Sequence, residues 1–562
     1  MKKTYFIIEL GFIIVLLLQA CKSNNSVPRQ EAIAELDLKR GEVISCSPSA
    51  EQFGSVDFKI SANQLIQEEF NLAVKLLHSF EYDEAEKVFA RIIDAAPQCA
   101  MAYWGVAMSN FHALWTPPSE AELKKGSKAV EIAKSISAKS KKEEGYINAI
   151  SAFYKNWEKV DHRTRCIAFE YAMENLHKEF PADKEPATFY ALALNAAADP
   201  ADKTFTKQKK AGAILNALYP AEPNHPGIVH YIIHTYDSPE LAEMALPAAR
   251  KYASVAPSSA HALHMPSHIF TRLGLWTECI NSNLAAVASA QCYAQEAKIK
   301  GHWDEELHGL DYLVYGYLQK GNNAMAMKQW DYLKTIKEVS PFNFKVVYAF
   351  ASIPSRYLLE NKLWKKAAAL KIHKEDFKWE SFQWQKAIIH FTRALGSVHI
   401  GKLDSAKIEL QELNKIHGNL LQQKDAYKAG QVDVQIKAVE AWIKFKEGNN
   451  DEAIRLMIRS ADMEDKTEKH PVTPGEVLPA KELLGDLLMQ MNKPADALQA
   501  YEANLVKHPN RFNGLYGAGL AAQKSGDVEK SKMYYQKLLS IADPANGGRS
   551  ELKTIAAFAR SN

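Results

Sequence analysis

His230 and His234 stand four residues apart in the segment His225-Pro-Gly-Ile-Val-His230-Tyr-Ile-Ile-His234-Thr-Tyr-Asp237. His264 and His268 repeat that spacing in His261-Ala-Leu-His264-Met-Pro-Ser-His268. On a helix, residues four apart share a face, so each pair offers two imidazole nitrogens to one ion. Pro226-Gly227 suits a helix start ahead of the first pair, whereas Pro266 lies inside the second and either kinks its helix or begins it. A third segment, from His302 through Asp304, Glu305, Glu306 and His308 to Asp311, adds imidazole and carboxylate. The spacing makes His230, His234, His264, His268 and His308 candidate metal ligands. His225, Asp237, His261, Asp311 and His112 are candidate ligand-binding or orienting residues. Such nitrogen and oxygen donors suit zinc, iron or copper. The competing readings are a metal-free network, in which imidazoles bond each other, Tyr231, Tyr236 or carbonyls freed by Pro266, and a metal-free site for a polar ligand.

Of 18 histidines in the 562-residue chain, eight fall between 225 and 308, so the excess is local. The HExxH pattern that would supply a zinc protease with its general base is missing from the sequence, as are the phosphate-binding GxxxxGK[ST] and GxGxxG loops and the GxSxG elbow.

The elements that must position these residues are helical. Hydrophobic residues make up 47% of the chain and charged ones 24%, which suits a globular protein with a sizeable core. Gly485, Ala497 and Tyr501 recur 34 residues later as Gly519, Ser531 and Tyr535, and Ala85, Phe89 and Pro97 repeat the spacing of Ala497, Tyr501 and Pro509. Small residues let paired helices close up, an aromatic fills the groove, and the proline ends the unit. This is the tetratricopeptide repeat (TPR) pattern. A turn glycine followed five residues later by a small residue recurs at Gly274/Cys279, Gly321/Ala326, Gly401/Ala406, Gly448/Ala453 and Gly526/Ser531. The expected fold is all-α, a right-handed solenoid of TPR-like antiparallel helix pairs. Residues 65–200 read as N-terminal repeats, 201–320 as the His-rich centre, 321–465 as further repeats and 466–562 as C-terminal repeats.

Lys2 and Lys3 precede an apolar run, Tyr5 to Leu18, which ends in Leu-Gln-Ala-Cys21. Residues 1–20 thus read as a secretory signal. The last four positions resemble a bacterial lipobox, which implies lipidation of Cys21 and attachment to the cell envelope, at the outer membrane of a diderm bacterium. Residues 21–64 are expected to be a tether and N-terminal segment. In an oxidising periplasm the five remaining cysteines allow pairing, with Cys46 and Cys99 the pair considered and at least one thiol left free. A net charge of +3 is too small for nucleic-acid binding by bulk electrostatics.

Several phrases resemble a family of large bacterial TPR proteins: the run from Cys99 to Trp115, HPGIVHYIIHTYDSP (225–239), YASVAPSSAHALHMPSHIFTRLGLW (252–276), HGLDYLVYGYLQKG (308–321) and LPAKELLGDLL (478–488). The resemblance covers roughly residues 65 to 545 and implies fold and envelope association without a catalytic role. The expected function is a lipid-anchored scaffold whose concave face binds a protein, peptide or small ligand. The alternative is a metal-dependent hydrolase or oxidoreductase built on the central histidines.

Overall fold

The computed structural model describes residues 27–47, 52–114, 117–373, 377–543 and 548–561. The expected signal segment, Cys21 and Trp115 lie outside them. The described residues form an all-α chain of helix pairs, and its one short ladder sets His302 and Trp303 parallel to Val339 and Ser340. They divide into two compact units: the described residues within Met1–Val43, Val56–Leu77 and Tyr82–Ala197 form the first, and those within Ile44–Ser55, His78–Glu81 and Ala198–Asn562 the second.

In the first unit, Ser119 and Ser140 open the helices Glu120–Ser135 and Lys141–Tyr154 with reciprocal capping boxes to Glu122 and Glu143. Each box satisfies amide groups that a helix start leaves unpaired. The core is aromatic. Phe58 meets Phe70 edge-on at 5.3 Å, and Trp104 meets Phe189 likewise at 5.5 Å. A Cβ on Gly105 would stand 2.2 Å from the Phe89 ring, so the helix Ala100–Ser109 closes on its neighbour because glycine is there. The N-terminal segment packs on the first unit at residues 33–40, where a tether was expected. Ile33, Leu36 and Leu38 are buried, the Lys39 amide donates to Glu86 at 2.9 Å, and Arg40 binds Asp94 with two nitrogens. Three apolar side chains in an otherwise polar stretch suffice to pin it down.

In the second unit, the helices Asp304–Gln319, Phe344–Glu360 and Gln383–His399 are buried along nearly their whole length. Between them, Asn323–Thr335 buries only Ala326 and Leu333, and Leu403–Gln422 buries a single stripe. A helix that is enclosed all round alternates with one that covers it, which is how each repeat hides an apolar face. At the C-terminal end, Cβ atoms on Gly485 and Gly519 would fall 2.6 and 2.4 Å from the rings of Tyr501 and Tyr535. The small residues five positions after the turn glycines, Cys279, Ala326, Ala406, Ala453 and Ser531, are all fully buried at 0% exposure. Among the described residues no helix is long and apolar enough to cross a membrane.

The cysteine pairing differs from expectation. Cys46 is bonded to Cys292, with Cα atoms 6.0 Å apart, and Cys99 is a free thiol, as are Cys166 and Cys279. The reason is the placement of residues 44–47 and 52–55, which belong to the second unit and are held there by a Ser45–Ser258 hydrogen bond of 2.9 Å and by the Ser258 amide on the Gln52 carbonyl. Cys99 instead opens the helix Ala100–Ser109 of the first unit.

Candidate metal centre

The histidines of the second unit assemble into two trios. Pro226 begins the helix Pro226–Thr235, which carries His230 and His234 on one face. His261 arrives on the short helix Ala260–His264, capped by Ser259. The three rings present nitrogens that all lie within 4.8 Å of one another. His230 Nε2 is 2.8 Å from His234 Nε2 and 3.1 Å from His261 Nε2. The opposite side of the His230 ring is committed, because Nδ1 lies 2.7 Å from the His78 carbonyl and must donate to it. In a neutral imidazole this leaves Nε2 as a bare lone pair aimed into the trio.

His264, His268 and His308 form the second trio, again with one nitrogen from each within 4.8 Å of the others. Pro266 begins the helix Pro266–Leu273, and Met265 ahead of it is itself helical at φ −53 and ψ −36. The chain therefore continues in register through the proline, and His264 and His268 keep the one-face geometry of an i, i+4 pair. His264 Nδ1 is 2.6 Å from Asn283 Oδ1, whose amide group is oriented by donating to the Cys279 carbonyl. His268 Nδ1 is 3.1 Å from Asp237 Oδ2. Both Nδ1 atoms are thus donors, and the two Nε2 lone pairs face each other at 3.1 Å. The Tyr312 hydroxyl adds a contact of 3.2 Å to His268 Nε2. Imidazoles held through one nitrogen by a carboxylate, amide or carbonyl, with the other nitrogens converging, are the arrangement in which histidine binds metals.

His230, His264, His268 and His308 are buried and His234 and His261 half-buried, and burial favours the neutral form of all six rings. Burial lowers the His230 pKa to about 3 and depresses those of His234, His261, His264, His268 and His308. Burial opposes ionisation of Asp237, but Lys469 and Arg272 overcome it and hold the carboxyl well below the usual carboxylate range. Arg272 Nε donates to Asp237 Oδ1 at 2.8 Å and Lys469 Nζ to Oδ2 at 3.3 Å.

A four-residue turn, His78 to Glu81, serves this site. It supplies the carbonyl that orients His230, the Phe80 ring against the first trio, and Glu81, which accepts from Ser259 at the start of the helix bearing His261 and His264. Phe80 sits at φ 58, in the left-handed region. For a bulky side chain this costs roughly 1–3 kcal/mol, which the surrounding contacts must offset.

The remaining candidates have other duties. His225 accepts the Ile228 amide as a helix cap, and its ring meets His78 edge-on at 4.9 Å. Asp237 orients His268 and does not join either trio of nitrogens. Asp311 accepts from Ser352 at 2.8 Å and pairs with Arg356 at 3.4 Å. His302 binds Glu306 at 2.8 Å. His112 belongs to the first unit, where it pairs with Glu122 at 3.1 Å and packs on Tyr82. Sequence spacing did not point to Phe80, Asn283, Tyr312 or Lys469, all of which reach the centre through tertiary packing.

Comparison with known proteins finds a repeat family at the C-terminal end of the chain. Residues 483–546 match the family described as "Tetratricopeptide repeat". No curated protein matches the chain by sequence. Among solved structures, the chain is similar to a human IFIT1 dimer with PPP-AAAA at 10% identity and a TM-score of 0.34, covering 86% of this chain and 91% of that one. It is also similar to Naa15/Naa10 bound to HypK-THB, at 12% identity, a TM-score of 0.23 and coverage of 88% and 74%. The TPR domain of P58(IPK) is similar at 12% identity and a TM-score of 0.20, over 67% of this chain and 99% of that one. The described residues are all-α, a tetratricopeptide repeat is matched at residues 483–546, and the two histidine trios lie earlier in the second unit.

Proposed function

We propose that this chain is a cell-envelope TPR protein, anchored through lipidated Cys21, that holds transition-metal ions at its two histidine trios. Its repeats act as a scaffold for a protein, peptide or small-molecule partner. The observation that carries the metal reading is the pair of Nε2 atoms of His264 and His268, 3.1 Å apart. With both Nδ1 atoms donating, two lone pairs confront each other and a cation between them removes the repulsion. In a metal-free network the Tyr312 hydroxyl, 3.2 Å away, would donate to His268 Nε2, which leaves the His264 Nε2 lone pair unmatched across the gap, and burial works against a charged imidazole. In the first trio His230 Nε2 is the one lone pair fixed by its other nitrogen, and His234 Nε2 and His261 Nε2 stand 2.8 and 3.1 Å from it.

Thermal melts of the metal-stripped chain, with and without added zinc or copper, test this reading. An ion that binds the native state alone adds about 2.7 kcal/mol at a hundredfold excess over Kd, so the melting temperature rises. The paired substitutions His230→Ala/His234→Ala and His264→Ala/His268→Ala each remove part of that rise. Melting curves that ignore added metal would count against the proposal. The anchor is tested separately: Cys21→Ala releases the protein from membranes if it is correct, and unchanged membrane association rejects it.

A further inference from the structure

The two trios share a helix. His261 and His264 stand three residues apart on Ala260–His264, yet His261 belongs to the first trio and His264 to the second. Met265 is itself helical and Pro266–Leu273 continues the turn, so His261, His264 and His268 form one row at i, i+3 and i+7. The facing chain follows the same row. His230 meets His261 at 3.1 Å, and Asp237, beyond the end of the helix Pro226–Thr235, meets His268 at 3.1 Å. A rise of about 1.5 Å per residue puts His264 about 4.5 Å and His268 about 10.5 Å past His261 along the axis. Ions seated at the two trios then stand about 5–10 Å apart. At that spacing, what one trio holds is felt at the other.

Resting on the metal reading above, we infer that the trios form one two-ion centre that binds a small oxyanion of the phosphate class across its ions. Like charges at this distance repel, and neither trio has a carboxylate among its donors to offset them. Asp237, which holds His268 from behind, is itself paired with Arg272 and Lys469. Lys345, near His264 and His308, is matched by Asp304 and Glu305. An anion from solution supplies negative charge that both ions share. Its size follows from the spacing. Ions bridged by a single oxygen stand roughly 3.5–4 Å apart, so a wider pair needs a bridge of several atoms, with each ion meeting a different oxygen. Three imidazoles leave an ion a further position for that oxygen. The way in lies at the first trio, where His234 and His261 are half-buried, whereas the rings of the second are buried.

The test uses the full chain, stripped of metal and then loaded. With copper(II), the expected electron paramagnetic resonance spectrum is that of two ions broadened by dipolar coupling. With zinc, calorimetry is expected to show one inorganic phosphate bound for two zinc ions, and no phosphate bound by the metal-stripped chain. The pairs His230→Ala/His234→Ala and His264→Ala/His268→Ala each leave one ion. Losing one of two linked contacts then weakens phosphate by about a hundredfold. Phenyl phosphate run in parallel separates the sources of the anion: equal binding assigns the site to phosphate esters, binding of inorganic phosphate alone assigns it to the free ion, and either supports the inference. A copper spectrum of two isolated ions overturns it and leaves the metal reading standing. So does a zinc-loaded chain that binds no phosphate, or two, or a one-ion variant that binds it as tightly as the unaltered protein. A single ion per chain overturns it too, because no pair exists. No uptake of metal overturns both readings. The spectrum and the stoichiometry belong to the unaltered chain, so a substitution that fails to fold does not protect the inference.

Discussion

Asp237 Oδ2 lies 3.1 Å from His268 Nδ1 while Oδ1 of the same carboxylate accepts from Arg272 at 2.8 Å. One residue therefore orients a candidate ligand and is itself held in place by a buried guanidinium, with Lys469 Nζ a further 3.3 Å contact. Asp237→Asn keeps the shape but removes the charge that these three groups share. Outer-shell partners of ligating histidines carry about 10–100-fold in metal affinity. The expected outcome is a drop of that size in zinc or copper affinity by chelator competition. Unchanged affinity in a folded Asp237→Asn protein would show that His268 does not depend on this contact.

The repeat packing makes a sharper claim about stability. Tyr501 is wedged between Gly485 and Gly517, where added Cβ atoms would fall 2.6 and 2.5 Å from its ring. Gly485→Ala gains about 1 kcal/mol of helix propensity. It also forces a buried ring to shift, a cost of about 1–3 kcal/mol. The clash wins, and denaturant melts are expected to show a less stable protein. Gly418 lies in the helix Leu403–Gln422, and a Cβ added there would meet nothing within 4 Å, so Gly418→Ala is expected to stabilise. Both substitutions moving stability in the same direction would contradict the packing account.

Acid sensitivity follows from histidines outside the two trios. His399 is stacked between Trp364 and Trp442 at 3.9 and 4.4 Å, and burial lowers its pKa to about 3. Burial likewise lowers His470 to about 3. Unfolded, each titrates near 6.5, so between those values the unfolded chain binds more protons than the folded one. Unfolding free energy then falls as pH drops from about 6.5 towards 3, by at most about 1.4 kcal/mol per pH unit for each histidine. Above that window these two groups add no slope. Chemical denaturation at pH 5 and pH 7 checks the sign, and equal or greater stability at pH 5 in the metal-free chain contradicts it.

The Cys46–Cys292 bond closes a loop with a sequence separation of 246. Removing it with Cys46→Ser and Cys292→Ser releases a long-range constraint on the unfolded chain, for which about 2–5 kcal/mol is typical. Melting temperature measured with and without reductant should fall for the native sequence and stay constant for the double variant. A native protein indifferent to reductant would argue that the bond constrains little.

How far the site was legible from residues alone can be seen in its parts. His230/His234 and His264/His268 were readable because helical periodicity puts each pair on one face, and Pro266 did not spoil the second because Met265 remains helical. His261 brings a nitrogen into the first trio, although its sequence position ranked it among the candidate ligand-binding residues and not the candidate metal ligands. His225 looked equivalent to its neighbours, but a residue directly before Pro226 is at a helix start, where its ring accepts an amide. Phe80 and Tyr312 carry no signal, since an aromatic at a turn or on a buried helix reads as core until its ring is seen against the histidines. Ile33, Leu36 and Leu38 were lost in a polar stretch, and the partner of Cys46 depended on a chain path that spacing does not encode.

Metal content by elemental analysis of the purified, reconstituted full chain bears most directly on the central claim that both trios are ion sites. Two ions per chain are expected in the unaltered protein, falling to one in His230→Ala/His234→Ala and to one in His264→Ala/His268→Ala, with helical content retained. A chain that folds with no bound metal, or whose metal content survives both pairs of substitutions, would contradict it.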